Sequence, residues 1–303
     1  MSEEARSSSE DPALFSWLNR RSLSASVFFV GSLCGRSDFD EGASQEQADV
    51  DADKNRQTGH LHLLRNGSLS VQTASGMVRV LDRPSLILFA GAEGHRLETK
   101  ENANAELVCA RLSFEGPEAE LLVRGLPTLL IVPLDTLAGL GPVLERLFDE
   151  AFTPAFGQSV AIELIVELLL VMLLRHCIAE GLTESGLLAG LADPRLARAL
   201  AAMHDRPTAE LNIEELAAIA GMSRSSFTAA FKQRIGTSPG DYLTTLRLAL
   251  AKQALLQGRP LKAAAPIAGY KSATALARAF QRQFGCGPRE WLAYQRREPV
   301  RGG

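Results

Sequence analysis

The sequence is poor in cysteine, and its few cysteines are widely scattered. Among 303 residues there are four, Cys34, Cys109, Cys177 and Cys286, and no two of them form a CxxC pair. This spacing excludes a dense disulfide framework and argues against a structural zinc site. We therefore expect reduced thiols, and we interpret Cys177 and Cys286 as structural.

A long apolar run is also missing. The most apolar stretch, VAIELIVELLLVMLLRHCIAEG, is interrupted by Glu163, Glu167 and Arg175. Its uninterrupted part would rise about 10 Å as a helix, far short of a bilayer core of about 30 Å. A helix that is apolar on nearly every side normally packs against protein. We therefore expect no membrane partner, and a homodimer contact through the helix around residues 159–179.

The N-terminus carries no pattern of a secretion signal. Its first residues, MSEEARSSSEDP, are acidic and serine-rich, without a basic region followed by an apolar run. The sequence therefore favours a cytoplasmic protein. Residues 1–20 and the acidic insertion DFDEGASQEQADVDADKNRQTG contain few apolar residues, so both are predicted to be disordered.

The charge of the chain is unevenly distributed. Hydrophobic residues make up 46%, enough for about two domains with their own cores. Although the net charge is only −3, residues 200–303 hold fifteen Lys or Arg against seven Asp or Glu. That segment carries +8 and the remainder −11. A basic C-terminal third on an acidic body is typical of nucleic-acid binding.

The first half of the chain reads as short strands. SASVFFVGSLCG precedes the acidic insertion, and HLHLLRNGSLSVQ, GMVRVLD, PSLILFAG and AELVCARLSF follow it, separated by Asn-Gly, Ser-Gly and Pro signals. This spacing predicts an antiparallel barrel or sandwich. From about Leu137 the pattern becomes helical and stays so.

One sequence pattern occurs twice in the basic third. FKQRIGTSPGDYL begins at Phe231 and FQRQFGCGPREWL at Phe280, forty-nine residues later. Upstream of the first copy, Asn212 is predicted to cap a helix, the turn Ala-Gly-Met ends it, and Ser223 caps a second helix. Phe227 and Phe231 face inward together, which leaves a polar, basic face outward. The arrangement predicts a helix-turn-helix.

The second copy has the same plan, with the turn Ala-Gly-Tyr, a cap at Ser272 and an inward pair, Leu276 and Phe280. A helix that opens at Pro239 and spans about 28 Å joins the copies, so both recognition helices can reach successive major grooves of DNA. The predicted DNA-binding residues are Arg224, Ser225, Thr228, Lys232, Lys271, Ser272, Thr274, Arg278 and Arg282.

Residues 205–296 resemble the DNA-binding domain of AraC/XylS-type transcription regulators. LAAIAGMSRSSFTAAFKQRIGTSPGDYL, IAGY and RAFQRQFGCGPREWL carry the resemblance. It implies an all-α tandem helix-turn-helix domain, double-stranded promoter DNA and RNA polymerase as partners. LKAAAPIAGY departs from the family at Ala264 and Pro266, and since proline removes a helical hydrogen bond, we expect the second unit to be kinked or weakly docked.

The N-terminal region is similar to the cupin-type sensor domain of one AraC subgroup, through HLHLLRNGSL and PSLILFAGAEGHRL. The predicted class is α+β multidomain, with a cupin-like antiparallel β-barrel, a helical linker and the tandem helix-turn-helix domain. The predicted domains are a disordered N-terminus (1–20), a sensor domain (21–136), a linker or dimerisation segment (137–204), the DNA-binding domain (205–297) and a tail (298–303).

The resemblance places His60, His62 and His95 where enzymatic cupins hold a metal. The carboxylate expected about four residues after His62 is missing. Hydrogen-bonded or surface histidines are the alternative reading. We therefore predict no cofactor and no catalytic residues, and a transcription regulator rather than an enzyme. A cupin metalloenzyme with an appended DNA-binding domain is the alternative function.

Cys34 and Cys109 lie in SLCGRSDF and LVCARLSF, which resemble a subgroup that includes thiol-based oxidant sensors. Arg36 and Arg111, each two residues away, could hold a thiolate. The alternatives are two small buried side chains in a domain that binds a small-molecule effector. The sequence leaves open whether the regulator activates or represses.

Overall fold

A computed structural model describes residues 23–39, 57–91, 94–100, 103–116, 119–137, 139–183 and 185–297. The described residues form two compact units. We call the part within 22–115 and 123–183 the sheet unit, and the part within 116–122 and 184–303 the helical unit. The predicted disorder of residues 1–20, most of the acidic insertion and the tail lie outside the described residues.

Antiparallel strands make up most of the sheet unit. They are β1 (Leu23–Leu33), β2 (Arg36–Phe39), β3 (Gln57–Gly67), β4 (Leu69–Thr73), β5 (Val78–Leu81), β6 (Ser85–Phe89), β7 (His95–Glu98), β8 (Ala105–Phe114) and β9 (Leu129–Pro133). One sheet has the order β1-β8-β3-β6-β9 and the other β2-β7-β4-β5. The predicted domain of antiparallel strands is thereby confirmed.

The core of the sheet unit lies between the two sheets. Both sheets contribute apolar side chains to one buried cluster, which comprises Leu33, Leu64, Leu69, Val71, Ile87, Phe89, Leu97, Ala105, Leu107 and Cys109. Because successive residues of a strand point to opposite faces, β4, β6 and β8 supply alternate residues to this cluster. All five residues of β6 are buried, so both faces of this strand are covered.

The predicted acidic insertion begins later than expected. Asp38 and Phe39 belong to β2, which pairs with β7 so that Asp38 lies opposite Arg96. Arg96 and Arg36 both bond the Asp38 carboxylate and lower its pKa. This cross-strand contact is non-local, so the run of polar letters around Asp38 does not reveal it.

Two helices complete the sheet unit, α2 (Gly141–Phe152) and α3 (Gln158–Ala179); a short helix, α1 (Ala119–Gly125), precedes β9. The edge strand β1 donates backbone hydrogen bonds to α3, from Ala25 to Glu167 Oε1 at 3.2 Å and from Val27 to Glu163 Oε1 at 3.3 Å. Within the described ranges, none of the helices combines the length and the apolar character that crossing a membrane requires.

The helical unit holds the two sequence repeats. Its helices are α4 (Leu187–Leu191), α5 (Pro194–Asp205), α6 (Ile213–Ala220), α7 (Arg224–Ile235), α8 (Pro239–Leu256), α9 (Leu261–Ile267), α10 (Ala273–Phe284) and α11 (Pro288–Arg297). The predicted caps at Asn212, Ser223 and Ser272 are confirmed, since each side chain accepts a backbone hydrogen bond in the first turn of its helix. Ser238 caps α8 in the same way.

Pro266 does not loosen the second repeat. It lies one residue before the end of α9, a helix of only seven residues, so it interrupts a single hydrogen bond near the C-terminus. Ala264 and Ala265 of the same helix are buried against α8 and α10. The expected weak docking was therefore wrong, because these small side chains let α9 approach its neighbours closely.

The helical unit extends upstream of the predicted boundary at residue 205. Its compact part includes α4 and α5, which lie in the segment that we expected to be linker. A Cβ at Gly190 of α4 would overlap the side chain of Ile235 at the end of α7. Gly186 also donates a backbone hydrogen bond to Arg234 at 3.0 Å. Both contacts join α4 to the first recognition helix.

Candidate nucleic-acid interface and sensor core

The first recognition helix, α7, separates a buried apolar side from an exposed polar side. Phe227 and Phe231 are fully buried, with ring centroids 5.5 Å apart. Among the predicted DNA-binding residues, Arg224, Ser225 and Lys232 are exposed. The helix therefore presents a cation at its N-terminal end, the end that reads bases in a helix-turn-helix.

Thr228 contributes less to the exposed face than predicted. It is half-buried, and its hydroxyl donates to the backbone oxygen of Arg224 at 2.9 Å. Sequence reasoning missed Gln233, which is exposed on the same helix. Because Gln233 follows Ser225 by eight residues, helical spacing could have placed it on the outward face.

The second recognition helix, α10, has the same design with a different outward face. Leu276 and Phe280 are fully buried, as predicted. The Ser272 hydroxyl accepts a hydrogen bond from the Ala275 backbone at 3.1 Å. The remaining predicted DNA-binding residues of this repeat are exposed: Lys271, Thr274, Arg278 and Arg282.

Two arginines on the supporting helices hold the first helix-turn-helix unit. Arg198 of α5 donates to the last carbonyls of α6, at Ile219 and Ala220, over 3.1 and 3.0 Å. Arg247 of α8 donates to the carbonyls of Pro207 and Ala209, over 2.7 and 2.6 Å. Backbone carbonyls at helix ends and in loops need such partners, so these arginines fix the segments on either side of α6.

Two of the predicted DNA-binding cations form ion pairs within the unit. Arg224 Nη1 lies 2.7 Å from Glu214 Oε1, and Lys271 Nζ lies 2.6 Å from Glu210 Oε1. All four side chains are largely exposed. Sequence reasoning missed both carboxylates, because neither pair follows a helical or strand period.

The sheet unit brings the three predicted histidines together in its interior. His62 Nε2 and His95 Nε2 are 2.8 Å apart, and the ring of His60 lies 5.1 Å from that of His95. Phe89 stacks on His95 with centroids 3.8 Å apart. All three histidines are buried, with His62 fully enclosed. The reading of these residues as surface histidines was therefore wrong.

Burial keeps two of these histidines neutral. Loss of solvation, with smaller contributions from His95 and Arg111, lowers the pKa of His60 to about 4. Loss of solvation likewise lowers the pKa of His62 well below its usual value, with His95 and His60 adding to the effect. The site therefore disfavours positive charge at neutral pH.

The histidine cluster does not fit a metal ion in this arrangement. Two nitrogen ligands bound tetrahedrally at about 2.0 to 2.1 Å from a metal lie more than 3 Å apart. The distance between the His62 and His95 nitrogens is instead that of a hydrogen bond. Among the described residues, no group of three or more His, Cys, Asp or Glu side chains could hold a metal.

The two candidate sensor cysteines lie in different environments. Cys34 is exposed and donates to Asn104 Oδ1 at 3.0 Å, whereas Cys109 is fully buried. Burial raises the pKa of the Cys109 thiol, so it stays protonated. Arg36, expected beside Cys34, bonds Asp38 at 3.0 Å. Cys34 is therefore the accessible thiol of the two.

A direct disulfide between them does not fit the strand register. Cys109 lies opposite Phe29, and Ala105 opposite Leu33, which directly precedes Cys34. Five residues of extended chain span about 16 Å, whereas the Cα atoms of a disulfide lie within about 7 Å of each other. Oxidation to this disulfide would therefore require β1 to move along β8.

Two concave regions border β1. A cavity of about 120 Å³ is lined by Phe28, Phe29, Leu33, Ser37, Leu107 and Cys109. A more open groove of about 540 Å³ lies between residues 27–31 of β1 and residues 151–162 of α2 and α3. Pockets for drug-sized ligands are usually about 300 to 1,000 Å³, so the cavity beside Cys109 suits only a very small molecule.

The remaining cysteines are less accessible than Cys34. Cys177 lies on the buried side of α3, and burial raises its pKa to about 11. Cys286 is half-buried in the turn before α11. A protonated, enclosed thiol is a poor nucleophile, which agrees with the structural interpretation of Cys177.

Comparisons with known proteins match the same two regions. A cupin family model matches residues 13–179, and a helix-turn-helix domain model matches residues 216–294. The RCS-specific HTH-type transcriptional activator RclR of Escherichia coli (strain K12) is 30% identical over 235 residues, which cover 76% of this chain and 82% of RclR. A putative AraC-like transcription regulator of Streptomyces antibioticus is 35% identical over 216 residues, which cover 67% and 69%.

Among solved structures, the DNA-binding domain of AdpA in complex with a target DNA is 32% identical to this chain. That comparison covers 36% of this chain and 99% of the AdpA domain, with a TM-score of 0.33. The cupin match alone spans more than half of the chain, and both relatives above are transcription regulators. The chain therefore belongs to the AraC-like DNA-binding transcription regulators with an N-terminal cupin domain.

Proposed function

We propose that the chain is a one-component regulator that senses a chemical signal in the sheet unit and binds double-stranded promoter DNA through both recognition helices. The observation that carries the DNA-binding part is the pair of capped helices, each with a buried aromatic side and an exposed basic side. At a promoter, such a protein acts on transcription by RNA polymerase.

The DNA-binding part is tested by selecting duplexes from a random library on the purified full chain. We expect an enriched operator, bound more tightly than random duplex, with an affinity that falls steeply as salt rises. A library that remains random after selection would contradict sequence-specific binding by both helices. Footprinting on the upstream region of its own gene then places the operator at a promoter.

For the signal, we propose an oxidant that reacts first at Cys34. The exposure of Cys34 supports this order, since a sensor thiol must be reachable. Cys109 would follow only after β1 has shifted, because it is enclosed and far from Cys34 along the register. A small-molecule effector in the groove between β1 and α3 is the competing proposal.

Reporter induction by hypochlorous acid and by peroxide separates the two proposals. We expect Cys34→Ser to abolish the response, Cys109→Ser to reduce it, and Cys286→Ser, the matched control, to leave it unchanged. A full response in the Cys34→Ser, Cys109→Ser double variant, at equal protein level, would contradict the oxidant proposal. It would then favour a ligand in the groove.

We also propose that the regulator forms a homodimer through α3. The exposed side chains of Val160, Leu164 and Leu168 follow one another at four-residue spacing, with exposed fractions of 59%, 60% and 51%. Such a row lies along one face of a helix, and an isologous dimer buries the same row of both copies. Leu164→Glu should convert a dimer to a monomer in sedimentation experiments, while Ser159→Glu, the control, should not.

A further inference from the structure

One short stretch of the helical unit contacts the N-terminal ends of both recognition helices. ELNIE, residues 210–214, begins and ends with a carboxylate. Glu214 binds Arg224, the first residue of α7, and Glu210 binds Lys271, which precedes the N-cap of α10. The same five residues therefore form an ion pair near the N-terminus of each recognition helix, which is the end that contacts bases in a helix-turn-helix.

The backbone around this stretch is fixed by independent contacts. Arg247 bonds the carbonyls of Pro207 and Ala209 just before it. Gly269, whose φ is 74°, leaves room for the Thr208 backbone, which a Cβ at that position would crowd. Asn212 within the stretch caps α6 by accepting from the Glu215 backbone at 2.8 Å. The backbone that carries the two carboxylates is thus fixed on both repeats' sides.

We propose that Glu210 and Glu214 compete with DNA for Lys271 and Arg224 and thereby lower the affinity of the chain for DNA. Non-specific binding is almost entirely an attraction of cations to phosphates, so a carboxylate held beside each cation weakens it on every sequence. On the operator, the released cations make base and phosphate contacts that outweigh the loss of the ion pairs. Separating the pairs costs the same free energy there, so the two carboxylates lower the affinity for the operator at least as much as the affinity for random DNA. This proposal rests on the proposed DNA-binding roles of Arg224 and Lys271.

The energetics of the pairs allow this exchange. Both pairs are exposed, and an exposed ion pair stabilises a protein only slightly, so DNA can separate it at low cost. The Lys271–Glu210 pair also raises the pKa of Lys271 and lowers that of Glu210, so both groups are charged at neutral pH. A charged carboxylate remains near the duplex after release and repels phosphates.

The test measures fluorescence anisotropy of the full chain with a random-sequence 30-base-pair duplex and with a duplex selected from the library. For the Glu210→Gln, Glu214→Gln variant we expect about five-fold tighter binding of the selected duplex and an equal or smaller tightening on the random one. Glu215→Gln is the control for each single substitution, because it removes one negative charge from an exposed neighbour on α6.

The proposal is overturned by unchanged or weaker binding of the selected duplex, or by an effect of Glu215→Gln as large as that of Glu210→Gln or Glu214→Gln alone. A double-mutant cycle adds a second check. The effect of Glu210→Gln should largely disappear in a Lys271→Gln background, and its full persistence there would contradict action through Lys271. If the parent chain itself does not prefer the selected duplex, the proposed sequence-specific DNA binding is wrong, whatever the effect of the two glutamates.

Discussion

The two units place their reactive groups in opposite ways. The sheet unit buries His60, His62 and Cys109, whereas the helical unit exposes most of the side chains that we assign to DNA binding and buries aromatic residues such as Phe231. The chemistry of the buried groups of the sheet unit therefore depends on what can enter the interior or move a strand, and Cys34 is exposed. That of the helical unit depends on which external charges meet its surface. A sensor and a reader are expected to differ in this respect.

The largest expected effect comes from removing one buried aromatic ring from each recognition helix. Phe231→Ala and Phe280→Ala should each lower the free energy of unfolding by about 3 to 5 kcal/mol, because both rings are fully enclosed. Urea unfolding followed by the fluorescence of Trp291, in a Trp17→Phe background, measures it. Phe156→Ala is the control, since that ring is fully exposed and should change stability little. A small effect at either buried ring would contradict the shared design.

The exposed side of α7 is tested by operator binding. Arg224→Ala should cost about 1 to 3 kcal/mol and relax one operator position, because arginine can bond guanine through two hydrogen bonds. Lys232→Ala, two turns further on, should weaken binding to all sequences alike and flatten the salt dependence. Binding to a panel of single-base operator variants distinguishes the two. Unchanged selectivity of the Arg224→Ala variant would show that Arg224 does not contact a base.

The buried histidines predict acid sensitivity of the sheet unit. The pKa of His60 is about 4 in the folded protein and about 6.5 in the unfolded chain, so the unfolded chain binds more protons between these values. Stability is full above pH 6.5 and falls as the pH drops toward 4, by about 2 kcal/mol between pH 7 and pH 5.

Urea unfolding at both pH values, followed by circular dichroism, measures this loss. His60→Phe should reduce it, because the titrating group has been removed. Unfolding reported by Trp291 should respond less, since it belongs to the helical unit. An identical loss in the parent and in His60→Phe would assign the sensitivity to other groups.

The smallest expected difference is between the two recognition helices, α7 and α10. The outward face of α10 includes Ala273 and Ala277, whose methyl groups cannot form hydrogen bonds with bases. We therefore expect Lys271, Arg278 and Arg282 to position the protein on phosphates. Substitutions in the operator half read by α10 should cost less than those in the half read by α7. Equal stringency in both halves would show that α10 also reads bases.

The helical unit could be predicted from sequence in most of its detail because its determinants are local. Asn212, Ser223 and Ser272 each lie directly before an amphipathic pattern, and a glycine with positive φ, Gly221 or Gly269, lies in the turn before each recognition helix. The helices α4 and α5 were assigned to the linker instead, because their contacts with the recognition helix, such as Gly190 on Ile235, join residues far apart in sequence.

The sheet unit was less predictable, since its determinants are non-local. The strands β7 and β9 have only four and five residues, too few for a clear alternation, and neither was predicted. The contact between His62 and His95 joins residues thirty-three apart. The resemblance to cupins brought these histidines together, but only the structure shows that they hydrogen-bond each other. The ion pairs of Glu210 and Glu214 follow neither helical nor strand spacing, so the sequence did not predict them.

The hydrogen bonds from Ala25 and Val27 to the carboxylates of α3 have a consequence for solubility. β1 lies at the edge of its sheet, and a bare strand edge is a template on which another chain can add a strand and begin to aggregate. Glu167 and Glu163 occupy two of the backbone donors along that edge. Because a carboxylate only accepts, an incoming strand would have to displace charge as well as backbone bonds. We therefore expect the two glutamates to disfavour edge-to-edge association of two chains.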